Sequence, residues 1–343
     1  MSEITAEQQV SRMWQHIKGF HVVHFVSIGE KLGFFAQLRE AEEGLSAAQL
    51  AAAAGLHEPY VKVWCDTGIA YEILESAGGR YRLAPFLDVV LADPGGPRNL
   101  TPYFACTVDY LSHDLERYPE FFKSGETYTF QEHGDQFSRA IGDITTGLHI
   151  VVAKRLLPSI PGLKEVLEGG PHILDMGCGA GGLLVRLAKT YPGATCVGVD
   201  VDAHGAAAAR ENVAAAGLDD RIRIEHMTGE TIAHQDEFDL VTLFEVIHEI
   251  PMPVRPQVIA NCFQALKPGG ALFILDETYP SQAADLAKPE YAFAVQTAFN
   301  ELIWGNVVPT REEQESLLGE AGFVDLQRAQ IGDIFTMITA RKA

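Results

Sequence analysis

Between Ser46 and Leu83 the rhythm of apolar and polar positions changes twice. Ser46 opens an alanine-rich run that stops at Gly55, a serine N-cap and a glycine stop that predict one short helix. A second helix runs through Tyr60, Val63, Trp64, Ile69, Ala70, Ile73 and Leu74, and Gly78-Gly79 breaks the pattern before the short strand Arg80–Leu83. From Asn99 to Leu157 the pattern stays helical, and most of its aromatic residues are expected in a core. Pro158–Gly162 and Gly169–Pro171 bracket a short helix, and after them the pattern alternates. Strand-like runs His172–Met176, Thr195–Val199, Arg221–His226, Phe238–Val246 and Ala271–Leu275 are separated by the helical stretches Leu183–Thr190, Ala206–Ala216 and Gln257–Leu266. Phe323–Ala329 and Phe335–Ala340 read as a final pair of strands around Gly332-Asp333. Such alternation predicts an α/β region with a parallel sheet covered on both faces, preceded by a mostly helical region. The expected organisation is residues 1–95, a helical connector 96–170, and an α/β domain 171–343.

Length and composition fit that division. At 343 residues the chain exceeds one core of ordinary size, and 47% hydrophobic with 21% charged residues is the balance of a globular protein. The net charge of −20, from 46 acidic against 26 basic residues, repels nucleic acid and anionic lipid, and no basic patch reverses it. The two helices after Ser46 and the strand after Gly79 together resemble a winged helix. DNA reading needs cations that neutralise phosphate, whereas the second helix sets Lys62 against Asp66, Glu72 and Glu75, so packing and dimerisation are the expected use. Met1–Glu7 lacks the basic start and apolar core of a signal peptide, and no apolar run reaches membrane-spanning length, which predicts a cytosolic protein. Five scattered cysteines without a CxxC pair predict reduced, buried thiols, with no disulfide framework and no zinc site.

The chemistry concentrates after the first strand of the α/β region. Ile173–Gly182 runs from a buried strand through glycines into a helix, a turn in which the backbone approaches a ligand closely and offers it free amides. Gly177, Gly179 and Gly182 also satisfy the dinucleotide pattern G-x-G-x-x-G, so a dehydrogenase is one reading. Asp175 favours another. A carboxylate facing the ligand there would repel a pyrophosphate and suit the ammonium and sulfonium of S-adenosylmethionine. Val199-Asp200 ends the next strand, 21 residues beyond Gly179, with a carboxylate that can take both hydroxyls of a ribose and so fits either cofactor.

Four ordered motifs carry a family resemblance: Leu174–Gly181, Val199-Asp200, Phe238-Asp239-Leu240-Val241, and Leu266-Lys267-Pro268-Gly269-Gly270 ahead of a strand. As a set they resemble class I S-adenosylmethionine-dependent methyltransferases over residues 171–343, and with the winged-helix front half they resemble small-molecule O-methyltransferases of bacterial and plant secondary metabolism, commonly dimers. The resemblance implies a seven-stranded Rossmann-like domain. It implies that Asp175, Gly177 and Gly179 cradle the methionine and ribose end, that Asp200 holds the ribose hydroxyls, that Val201 lies against adenine, and that Phe244 borders the same site. Gly229-Glu230 stands where the family usually reads Gly-Asp and meets the adenine amino group; glutamate is a departure.

Methyl transfer to a hydroxyl needs its proton removed, and a histidine does this near neutral pH. Phe244–Pro251 puts His248 and Glu249 at the carboxyl edge of the sheet, where open α/β folds bind ligands. The family's histidine–aspartate pair is similar, which implies His248 as general base with Glu249 beside it and Glu277 orienting it. A second orienting glutamate, which the family often carries near 307–310, is missing. Tyr103, Phe104, Phe299 and Trp304 are candidates to cover the acceptor, and Asn300 lies beside them. The expectation is a homodimer that methylates oxygen of a small molecule, with no metal. C-methylation of an enolisable 2-keto acid, with or without metal assistance, stays open, as does a regulator that senses S-adenosylmethionine.

Overall fold

A computed structural model describes residues 4–343; Met1–Glu3, which open the stretch read for a leader, lie outside the described residues. The chain forms two compact units, Met1–His113 and Asp114–Ala343, so the 96–170 stretch is divided between them.

In the first unit, helices Ala6–Lys31, Phe34–Glu40, Ala47–Ala54 and Glu58–Ala70 precede a hairpin of β1 (Leu74–Ala77) and β2 (Arg80–Leu83). Ser46 and Gln49 cap the third helix reciprocally, each side chain accepting the other's backbone N–H, and Gly55 ends it in the left-handed region. The fourth helix stops sooner than its apolar spacing predicts. Glu72 turns the chain at φ 60, which moves Leu74 from the helix to the start of β1. Trp64 centres the core, stacked on Phe25 with ring centroids 4.6 Å apart, while Phe34, Phe35, Leu38 and Leu50 close around it. Along the first helix Val10, Met13, Trp14, Ile17 and Phe20 recur at helical spacing and stay 45–63% exposed. On the fourth helix Lys62 donates to Asp66, and beside it Arg82 donates to Glu75, so these cations already have partners.

The second unit is built on a seven-stranded sheet in the order β5-β4-β3-β6-β7-β9-β8. Strands β3 (His172–Met176), β4 (Thr195–Asp200), β5 (Ile222–His226), β6 (Phe238–Phe244) and β7 (Leu266–Asp276) are parallel; β8 (Val324–Ile331) and β9 (Phe335–Arg341) add an antiparallel edge. β7 begins at Leu266, so Lys267–Gly270 lies inside the strand and not ahead of it. Successive side chains serve opposite faces: Ala271, Phe273 and Leu275 join one core and Leu272 and Ile274 the other, as do Ile173 and Leu174 on β3. This two-sided burial explains why the strands read as apolar runs with no alternation. The stretch expected as one helix over Pro289–Trp304 is a regular helix only over Ala292–Asn300, with tight turns at Pro289–Tyr291 and Leu302–Trp304. Among the described residues no helix is long and apolar enough to cross a membrane, and all five cysteines are buried thiols.

Phe273 is fully buried in the middle of the sheet. Phe273→Ala is expected to cost the second unit about 3–5 kcal/mol, read as a lower urea midpoint with an unchanged slope.

Candidate functional site

The strand order reverses beside β3: β4 and β5 follow on one side, β6 and β7 on the other. That reversal opens a crevice at the carboxyl ends of the strands. It is filled by a cavity of about 750 Å³ walled by the segments that leave β3, β4, β5 and β6, and closed by the helix Asp135–Val151. Ser138, Gly142, Thr145 and His149 stand three or four residues apart on that helix, so a single face lines the cavity.

The turn after β3 is shaped by backbone. Gly177 sits at φ 73, and a Cβ there would lie 2.2 Å from Val246 Cγ2, so no larger residue fits. The amides behave differently from expectation. Gly177 and Cys178 both donate to the carbonyl of Val199, Gly181 donates to that of Cys178, and Gly179 donates to the Asp200 carboxylate at 2.6 Å. Four N–H groups that a diphosphate would need are bonded within the protein.

The wall is acidic. Asp143, Asp200, Asp202, Glu230, Glu245 and Glu249 line it; its one lysine or arginine among the described residues, Arg139, donates to Glu211 at 2.7 Å. Asp202 is held by Ser138 and by the amides of His204 and Gly205, where it caps the following helix. Asp200 also takes the Asp202 amide, and burial raises its pKa to about 6 against the pull of these two backbone bonds. His149 stands in the wall with its ring against Phe244 and the backbone of Gly182, and burial lowers its pKa to about 3, leaving it neutral.

Of the residues singled out for a cofactor, Gly177, Gly179, Asp200, Val201, Gly229, Glu230 and Phe244 line the cavity together. Asp175 does not face it. Its side chain turns under the glycine turn, accepts from Thr242 Oγ1 at 2.5 Å, and burial raises its pKa to about 7. The reason lies in the position along β3, which is covered on both faces: Asp175 points into packing beside Thr242, while only the last strand residue, Met176, and the turn beyond it meet the crevice.

His248 lies just behind the wall, 2% exposed, while the neighbouring Glu249 stands in it. The imidazole is set among carboxylates. Its Nδ1 donates to Asp276 at 2.6 Å with Glu277 Oε2 at 3.2 Å, and its Nε2 lies 3.4 Å from Glu301 Oε2. Asp276 is fixed in turn by the amides of Val246, Ile247 and Glu277, and Thr297 donates to Glu277 Oε1. Burial opposes the imidazolium, but Asp276, Glu301 and Glu277 outweigh it and hold the histidine well above its usual pKa. Burial raises Glu249 and Glu277 to about 8.

Sequence reasoning missed Asp276 and Glu301. Asp276 stands immediately before Glu277, the neighbour singled out in its place. The glutamate expected near 307–310 is replaced in space by Glu301, delivered by the turn after Ala292–Asn300. Trp304 does line the cavity, its indole N–H donating to Asp114. Phe299 is half exposed and packs on Tyr118, and Asn300 gives Tyr118 its carbonyl, so neither is part of the wall. Tyr103 and Phe104 belong to the first unit, where Phe104 packs against the core.

Residues 173–270 match a protein-family model described as "Methyltransferase domain". The ubiquinone biosynthesis O-methyltransferase of Psychrobacter cryohalolentis is 34% identical over 108 residues, 31% of this chain and 40% of the relative, so the chain spans about two fifths of the length of that curated relative. Human N-acetylserotonin methyltransferase in complex with SAM superposes with a TM-score of 0.75 at 20% identity, over 100% of this chain and 99% of that one. An O-methyltransferase family protein from Burkholderia thailandensis gives a TM-score of 0.75 at 17% identity over 99% of both chains.

Asp175 keeps a proton in the folded chain that the unfolded chain loses above about pH 4. Its stabilising effect is complete below that pH and is lost as the pH rises to about 7. Asp175→Asn retains an acceptor for Thr242 without the buried charge. It is expected to raise stability at pH 8 by roughly 2–4 kcal/mol and by less at pH 5, as scanning calorimetry at the two pH values will show.

Proposed function

We propose that this chain, whose residues 173–270 are a methyltransferase domain and whose fold is that of O-methyltransferases, transfers a methyl group from S-adenosylmethionine to oxygen of a small molecule. One observation carries this reading over a dinucleotide enzyme: the glycine turn has its amides bonded inward and faces an acidic wall, which suits a cationic ligand and repels a diphosphate. S-adenosylmethionine supplies, when bound, a methyl carbon activated by positive sulfur. Asp200 keeps lone pairs for the ribose hydroxyls beyond its two backbone bonds, Glu230 is within the wall for the adenine amino group, and Val201 offers an apolar surface. Gly177 and Gly179 let the methionine end lie close against the turn.

The acceptor would occupy the remaining cavity, beside Phe130, Trp304 and Asn306, with its hydroxyl at Glu249 and His248 behind that carboxyl. Glu249 meets the proton, and His248, clamped by Asp276, Glu277 and Glu301, sets the charge of that centre. The rest of the reading follows the same frame: residues 1–95 as a dimerisation domain that pairs through the exposed stripe Val10–Phe20, 96–170 as connector and pocket wall, 171–343 as the cofactor domain, in a cytosolic homodimer of secondary metabolism.

Labelled methyl from S-adenosylmethionine should appear in a product from a panel of phenols and enols; a panel without any labelled product overturns the reading. Glu249→Gln and His248→Ala should each lower kcat by about 10²–10⁴-fold while cofactor affinity holds. Because a proton on Asp200 competes with ribose hydroxyls, affinity for S-adenosylhomocysteine should be flat above pH 7 and weaken by up to about tenfold per unit as the pH falls below about 6. Calorimetric titration across pH checks this, with Asp200→Asn flattening the profile.

A further inference from the structure

The helix Asp135–Val151 turns towards the cavity a set of donors whose hydrogens are already used. Ser138 donates to Asp202, Thr145 and Thr146 to the carbonyl of Gly142, and Arg139 to Glu211. His149 is the exception. It is only 7% exposed and lines the cavity, yet neither ring nitrogen bonds to a described residue and neither is sealed in, so that remaining exposure opens onto the cavity. A buried polar group without a partner is costly, and a ligand that supplies one removes the cost.

A second feature meets this ring. The nine-residue helix Gly182–Thr190 starts at the end of the glycine turn, and no side chain caps it, so the N–H groups of its first turn are unmatched. The imidazole lies across that end. A Cβ on Gly182 would stand 2.6 Å from His149 Cε1 and 2.7 Å from Nδ1, so glycine at 182 is what lets the ring and the helix end come together. Here the sign of the acidic wall reverses. A helix N-terminus carries about half a positive charge, and Arg186, one turn further along the same helix, is near enough for its charge to disfavour the imidazolium. With burial this keeps the ring neutral, one nitrogen a donor and the other an acceptor. A neutral donor beside an uncapped helix N-terminus suits a carboxylate.

We propose that His149 and the first turn of the helix Gly182–Thr190 bind the carboxylate at the methionine end of S-adenosylmethionine, the imidazole donating one N–H to it. The inference rests on the methyl-transfer reading, which lays that end against the same glycine turn and leaves its ammonium and sulfonium to the acids. The wall has no free cation for the carboxylate among the described residues, because Arg139 is committed to Glu211. His149 is therefore the residue that tells the amino-acid end of the cofactor from a decarboxylated one.

Calorimetric titration of the full chain with S-adenosylhomocysteine and with its decarboxylated analogue, S-adenosyl-3-thiopropylamine, tests this, since the two ligands differ by that carboxylate alone. The wild-type chain is expected to prefer S-adenosylhomocysteine by about 10–100-fold. His149→Phe, which keeps an aromatic ring against Phe244, should cut that preference about tenfold while affinity for the decarboxylated analogue stays within about twofold of wild type. Unchanged binding of the analogue shows that the variant is folded with its cofactor site in place. Absence of any preference in the wild type, a measurement that needs no variant, overturns the proposal, as does a preference that His149→Phe leaves intact or an equal loss of both ligands. A wild-type chain that binds neither ligand overturns the methyltransferase reading itself; binding of both without the expected preference overturns this inference alone.

Discussion

The sheet of the second unit is buried on both faces, and that constraint decides where its chemistry can be. Along β3, β4, β6 and β7 nearly every apolar side chain enters one of two cores, so ionisable groups gather toward the strand ends. The exceptions confirm the cost. Asp175, inside β3, needs Thr242 and sits with its carboxyl raised toward neutrality by burial. Asp200 and Asp276, one at the end of β4 and the other at the end of β7, are tolerated because backbone amides of the adjoining turns bond to them.

Those same bonds build the site. Asp200 takes the Gly179 amide and so fixes the glycine turn; Asp276 takes the amides of Val246 and Ile247 and so fixes the turn that presents His248. Each carboxylate therefore has a structural and a local electrostatic effect. The turn after β3 has four of its amides bonded within the protein, and the turn after β6 presents a buried imidazole among acids. A cavity between them with an acidic wall selects for positive charge.

The imbalance around His248 is the least ordinary feature. Five carboxyl groups in apolar surroundings cannot all ionise against one imidazolium, and burial accordingly raises Glu245, Glu249 and Glu277. Protons shared among the acids restore the balance.

The strand–helix alternation, the glycine turn, the acids at 200 and 230 and the histidine at 248 were determined by the sequence alone, because each is a local pattern: a period, a turn residue, an offset from a strand end. Direction and company were not. Whether Asp175 faces a ligand depends on which side of β3 is packed, and a strand buried on both sides has no alternation from which to read it. The spent amides depend on β4 lying next to β3 in register. Glu301 reaches His248 across 53 positions only because the helix Ala292–Asn300 ends beside that histidine, and a contact at that separation leaves no trace in spacing.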